Sequence, residues 1–205
     1  MEIFSDKSTI EFLTIATEFC AFVEKTAKFS RVDYLNKMHK LLSLVYLKAA
    51  LLQPDENHEF EGESEAFLSE YEYEYIKRTA SQKLGVYDQY INVYNSATND
   101  SRYEQVEISE AIADIYHNLK NFVENCRSAS EECATASRIE LINDFKEYWG
   151  FRTLSLLAAL HALVYLEDLQ SEDDDEEDET QADLENSKAN KFFSDFMDSY
   201  HKKID

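Results

Sequence analysis

One proline and three glycines serve a chain of 205 residues. So few breakers, beside abundant Glu, Lys, Leu and Ala, favour helix over a turn-rich β architecture. The length fits one domain, or one domain with an appendage. It is enough to bury a core without disulfide or metal staples. A hydrophobic share of 44% rules out disorder throughout.

Punctuation and periodicity place the helices. Ser8 and Glu11 have capping-box spacing, which lets side chains satisfy the first free amides of a helix. Ile10, Leu13, Ala16, Phe19, Cys20, Val23 and Ala27 follow at three- or four-residue intervals and predict its buried face. Ser30 and Asp33 open a second helix with the stripe Leu35, Met38, Leu41, Leu42, Val45, Ala49 and Leu52, and Pro54 stops it. Residues 55–68 are acidic around Gly62 and read as a loop with some helical turns. Ser69 and Glu72 cap a third helix that ends at Gly85. Its opening, EYEYEY, has period two and by itself suggests a strand; the helical IKRTASQKL behind it and the i,i+4 pair Tyr71 and Tyr75 decide for helix.

Residues 86–106 are aromatic-rich, then polar, and predict a packed irregular segment with one short helix near 87–93. A fourth long helix starts near Glu107 or Ser109. Ile108, Ile112, Ile115, Leu119, Phe122, Val123 and Cys126 form its core stripe, and the serine-rich 128–130 ends it. A fifth begins at 131–137 and runs to about Leu169. Ile139, Ile142, Phe145, Trp149, Leu156, Leu160 and Leu163 lie down one side of it. Gly150 sits inside this helix, weakening it by roughly 1 kcal/mol relative to alanine while allowing close approach or a bend.

The expectation is an all-α fold: an antiparallel bundle of about five long helices over residues 1–166, an acidic low-complexity linker over 167–183, and a C-terminal amphipathic helix over 184–205. Residues 167–185 hold twelve Asp or Glu and no Lys or Arg. Beyond them Phe192, Phe193, Phe196, Met197, Tyr200 and Ile204 repeat at helical spacing.

The formal net charge of −22 repels nucleic-acid backbones and anionic membranes, so neither is an expected direct ligand. It fits a solubilised surface, a basic protein partner, or a decoy of nucleic acid. Cys20, Cys126 and Cys133 are odd in number and form no CxxC, as suits reduced thiols of a cytoplasmic protein. The N-terminus lacks the basic and apolar regions of a signal peptide, and the apolar stretch at 154–166 is too short to span a bilayer.

Three stretches, read in order, are LLSLVYLKAALL (41–52), ADIYHNLKNF (113–122) and YWGFRTLSLLAALH (148–161), with KLG at 83–85 before an aromatic-rich loop. Together they resemble an uncharacterised bacterial family, chiefly of Bacteroidetes, catalogued as domain of unknown function 5063. The resemblance covers roughly residues 9–165. It implies an all-helical domain of the bacterial cytoplasm, and it implies no activity.

Catalytic vocabulary is sparse. A dimetal bundle needs Glu-x-x-His pairs, and this chain offers only Asp114-x-x-His117 and Asp198-x-x-His201. An EF-hand read from Asp174 fails, because Glu179 stands where the turn needs glycine. No nucleophile elbow or Gly-rich phosphate loop is present, and no cofactor or metal is expected. His161, in LAALHAL, reads as a core or edge histidine, and His39 as solvent-facing. The constellation of most interest is Asp114, Tyr116, His117 and Lys120 on the fourth helix with Trp149 and Arg152 on the fifth. Arg152 is a cation among apolar residues and needs a carboxylate such as Asp114. The cluster reads either as a buried salt bridge that fixes helix register or as a small anion or ligand pocket.

Two functional expectations follow. One is a non-enzymatic protein-interaction or regulatory module with an unidentified, basic protein partner. The other is a small-ligand- or metal-binding helical domain, an enzyme included, with its site between the fourth and fifth long helices.

Overall fold

The computed structural model describes residues 6–54, 63–94, 102–128, 130–166 and 169. Its elements, in order, are α1 (Lys7–Val23), α2 (Arg31–Ala50), α3 (Glu70–Leu84), β1 (Tyr90–Tyr94), β2 (Arg102–Val106), α4 (Ile108–Ser128), α5 (Glu131–Asp144) and α6 (Gly150–Val164). A π-helical turn, Phe145–Trp149, joins α5 to α6 without a break. The fold is all-α with one small hairpin. The expected linker at 167–183, apart from Leu169, and the expected helix at 184–205 lie outside the described residues.

Helix α4 is the centre, in contact with α1, α3, α5 and α6, while α2 fills the gap between α1 and α6. Phe12 packs on Phe122 at 5.7 Å, and Tyr116 reaches Glu24, so α1 and α4 run antiparallel. Phe12, Phe19, Leu35, Leu42, Ile112, Ile115, Phe122 and Trp149 form the dry interior. Each such side chain contributes roughly 1.5–3 kcal/mol on burial.

The first helix begins two residues earlier than its Ser8–Glu11 spacing suggests. Asp6 accepts from the Ser8 and Thr9 amides, which places Ser8 inside the helix and releases Glu11 to pair with Lys48 at 2.8 Å. The buried face is correspondingly Phe12, Ile15, Ala16, Phe19, Cys20 and Val23, with Ile10 and Ala27 exposed. At α3 the strand-like EYEYEY is overridden, because Ser69 and Glu72 close a reciprocal capping box. In α5 the buried position next to Ile139 is Arg138, whose guanidinium donates to Thr9 Oγ1 and the Gln53 carbonyl and ties α5 to the end of the α1–α2 pair where α1 begins and α2 finishes.

The irregular segment expected at 86–106 is instead a β-hairpin, in the register Tyr90↔Val106, Asn92↔Glu104 and Tyr94↔Arg102. Tyr90, Asn92 and Val106 are buried while Ile91 and Tyr103 are exposed, the alternation of a half-buried sheet packed on α6. Asp88 clasps the hairpin's base: its carboxylate accepts from the Ser109 amide and hydroxyl at the start of α4, both at 2.7 Å.

Asn92 is an anomaly within this packing. Its side chain is fully buried, and among the described residues neither amide atom has a hydrogen-bond partner. Leaving such a group dry costs roughly 1–3 kcal/mol. Asn92→Val, which also suits a strand better, is expected to raise the urea midpoint by the equivalent of about 1 kcal/mol; a lowered midpoint would mean the amide has a partner or a role that this geometry does not account for.

Candidate functional site

The six residues singled out from the sequence do not converge. They divide into two polar clusters and a core contact. Asp114 is the hub of the first. Tyr73 of α3 donates to its Oδ1 at 2.7 Å, and Tyr148 of the π turn donates to its Oδ2 at 2.9 Å. Arg152 of α6 forms its ion pair to the same Oδ2. The guanidinium also lies over the Tyr148 ring at 5.0 Å, and Arg152 is only 5% exposed. Burial, then the Asp114 hydrogen bond and charge, push the Tyr73 phenol far above its ordinary value, so it stays a donor. The pairing of Arg152 with Asp114 anticipated from the sequence is present, and two tyrosines complete it.

The second cluster faces the end of α1. Tyr116 and Lys120 both donate to Glu24 Oε1 at 2.9 Å, and Lys120 also meets Glu124 at 3.1 Å. Burial disfavours the Lys120 charge, but these carboxylates outweigh it and raise its pKa. Trp149 belongs to neither cluster. It is fully buried, edge-on to Phe145 at 4.6 Å, with its indole N–H on the Leu141 carbonyl. His117 is exposed, edge-on to the Tyr73 ring at 6.4 Å. Asp114 is occupied by its donors, and among the described residues no three His, Cys, Asp or Glu are placed to hold a metal. Asp198 and His201 lie outside the described residues.

Sequence reasoning missed Tyr73, Tyr148 and Glu24. Tyr73 was visible as the inward member of EYEYEY, and Glu24 as the acid one turn beyond Cys20.

A polar cleft of about 490 Å³ opens beside Arg152, walled by Lys77 of α3, Glu107 and Glu110 of α4, and Gln89, Glu104 and Gln105 of the hairpin region. Lys77 is clamped by Glu107 at 2.9 Å and Glu110 at 3.0 Å, and these bonds raise its pKa well above the usual. Both cations of the cleft are therefore already matched by carboxylates, so an anion entering it meets a net negative wall.

The outer side of α6 has the opposite character. Phe151, Leu154, Ala158, Ala162 and Tyr165 recur on one face and are exposed, Phe151, Leu154 and Tyr165 by 41%, 44% and 68%. No Asp or Glu occurs between Gly150 and Val164. The flanking α2 carries Arg31, Lys37, His39, Lys40 and Lys48 against the single acid Asp33. His39 is half-buried and His161 exposed; their rings sit 5.5 Å apart across the α2–α6 seam, and Tyr165 caps His161 at 4.7 Å. The solvent-facing reading of His39 is corrected, since the seam half-covers it; of the two readings of His161, the edge one fits and the core one does not.

Burial first, then the charges of His161 and Lys40, hold His39 below its ordinary pKa. The unfolded chain takes up its proton near about 6.5, before the folded protein does. Stability is therefore expected to decline as pH falls through that value and to level off below the lowered folded pKa. His39→Gln should show a smaller loss of urea midpoint between pH 7.5 and pH 5; an equal loss in both proteins would rule His39 out as a source.

The cysteines are free thiols. Burial pushes Cys20 far up and Cys126 to about 12, so both are protonated and unreactive at neutral pH.

The fold is that of an all-α helical domain. The chain belongs to the family described as domain of unknown function 5063, whose profile matches residues 4–166. Among solved structures it is similar to protein BF1032 from Bacteroides fragilis, known from a crystal structure. The two are 29% identical with a TM-score of 0.69, over 80% of this chain and 96% of that one. No curated protein matches the chain. Among the described residues, no helix is long and apolar enough to cross a membrane.

Proposed function

We propose that this domain is a protein-interaction module of the bacterial cytoplasm that receives an amphipathic helix on the outer face of α6. The observation that carries the reading is the stripe from Phe151 to Tyr165. It is an apolar helix face without acids, on a molecule of net charge −22. Whole-chain charge points to a basic partner, but α2 brings His39 and exposed Lys40 to the seam beside this stripe. The fitting occupant is therefore a helix with an apolar face and an acidic flank. A photo-cross-linking residue at position 154, activated in the native cell, tests it. The expected product joins position 154 to an amphipathic helical peptide, and Phe151→Glu removes it. A chain that joins only solvent overturns the reading.

A second reading rests on the cleft beside Arg152 and on Asn92, whose unpartnered buried amide lies opposite the cleft residue Glu104 in the hairpin register. The cleft's size suits a small ligand, and its carboxylates favour a cationic or neutral one. A thermal-shift screen of amines and neutral metabolites checks this. Stabilisation that disappears in Glu110→Gln supports it, and an unmoved melting temperature throughout the screen removes it.

A further inference from the structure

We infer that the occupant of the α6 face is the C-terminal segment of this same chain, residues 184–205, docked back on the bundle. The inference rests on the reading of that face as a docking surface and names what covers it. Three observations converge. The first is where the chain leaves the bundle. Leu169, just past α6, is buried in the core, so the next residues set out from the Tyr165 end of the exposed stripe.

The second is length and pattern. Phe192, Phe193, Phe196, Met197, Tyr200 and Ile204 have the spacing of one helix face. As a helix, the span from 192 to 204 is about 18 Å long. The exposed stripe from Phe151 to Tyr165 is about 21 Å long. Residues 170–183 reach on the order of 45 Å when extended, while neighbouring helices need a separation of only about 8–10 Å. The segment thus has chain to spare for an antiparallel return along α6.

The third is charge. The last turn of α6 carries His161 beside His39 of α2, next to exposed Lys40, and the acidic run follows in sequence from that end. Lys40 there is complementary to that acidic sequence, and the apolar stripe of α6 is free of acids. A tether of this length gives an effective concentration on the order of millimolar. Even a contact that is weak between separate molecules therefore closes within one chain. The tail then competes with any external helix for the same face, which makes the module self-blocking.

The test uses the full chain labelled with nitrogen-15, compared with the double variant Phe193→Asp/Phe196→Asp. The variant is expected to shift the amide resonances of Phe151, Leu154, Ala158, His161 and Tyr165 while leaving those of α3 and α4 in place. It should also raise the fluorescence of 8-anilinonaphthalene-1-sulfonate several-fold. Unchanged α6 resonances overturn the inference, as does a concentration-dependent dimer in which the tail reaches a second copy. The cross-linker at position 154 separates the two claims. A joined peptide from 184–205 of the same chain supports both. A peptide from another protein, with unchanged α6 resonances in the tail variant, keeps the interaction module and rejects the tail as its occupant.

Discussion

Asp114→Ala will destabilise the domain by about 3–5 kcal/mol, the range for removing one partner of a buried ion pair. The reason is the position of Arg152. Arg152 is only 5% exposed, so the loss of the Asp114 carboxylate takes a counter-ion from a buried charge. Tyr73 and Tyr148 lose their acceptor in the same step. Equilibrium urea unfolding measures the effect. The informative control is Asp114→Leu with Arg152→Met, which removes the whole pair. If the hub serves to fix the register of α3, α4 and α6, the double variant recovers most of the stability. If it fails to recover, the hub holds more than this pair.

Gly150→Ala carries the second large effect, and it arises from backbone geometry. At the end of the π turn the Gly150 amide donates to the Phe145 carbonyl. A Cβ at 150 would stand 2.3 Å from that oxygen and 3.2 Å from the Phe145 ring. No side-chain movement relieves a clash with backbone. The turn must revert to α-helical pairing, which rotates α6 by one residue against everything before it. Trp149, Arg152, Leu156 and Leu160 then leave the positions in which they are buried. A loss of roughly 3 kcal/mol is expected, the upper end of overpacking effects, with the Trp149 fluorescence shifted toward that of exposed indole. A near-neutral substitution would mean the turn is not held in this register.

Much of this was legible in the residues, for reasons that differ by element. Helices α2 and α3 announce themselves because caps and stripes agree, α4 by its stripe alone, and Ser69 with Glu72 even outvotes a period-two run. The Arg152–Asp114 pair was legible because a cation within an apolar stretch demands a counter-ion. The hairpin was not, although YINVY is rich in β-formers, because neither it nor RYEQV alternates cleanly. The surrounding scarcity of breakers argued for helix, and tertiary burial of Tyr90 and Val106 against α6 decided otherwise. Nor was the division of the cluster legible. Tyr116 and Asp114 are two residues apart, so a helix points them to different neighbours. Only the placement of α1 beside α4 reveals that Glu24 takes Tyr116.

The Asp88–Ser109 clasp has a consequence for how the hairpin takes insertions. Because the clasp holds the two ends of the hairpin region together at the start of α4, the connection from β1 to β2 begins and ends at one anchored place. Lengthening that connection adds loop entropy of only about 0.6 kcal/mol per doubling and leaves the bundle's register untouched. A longer insertion between Tyr94 and Arg102 is therefore expected to leave the melting temperature of the bundle nearly unchanged.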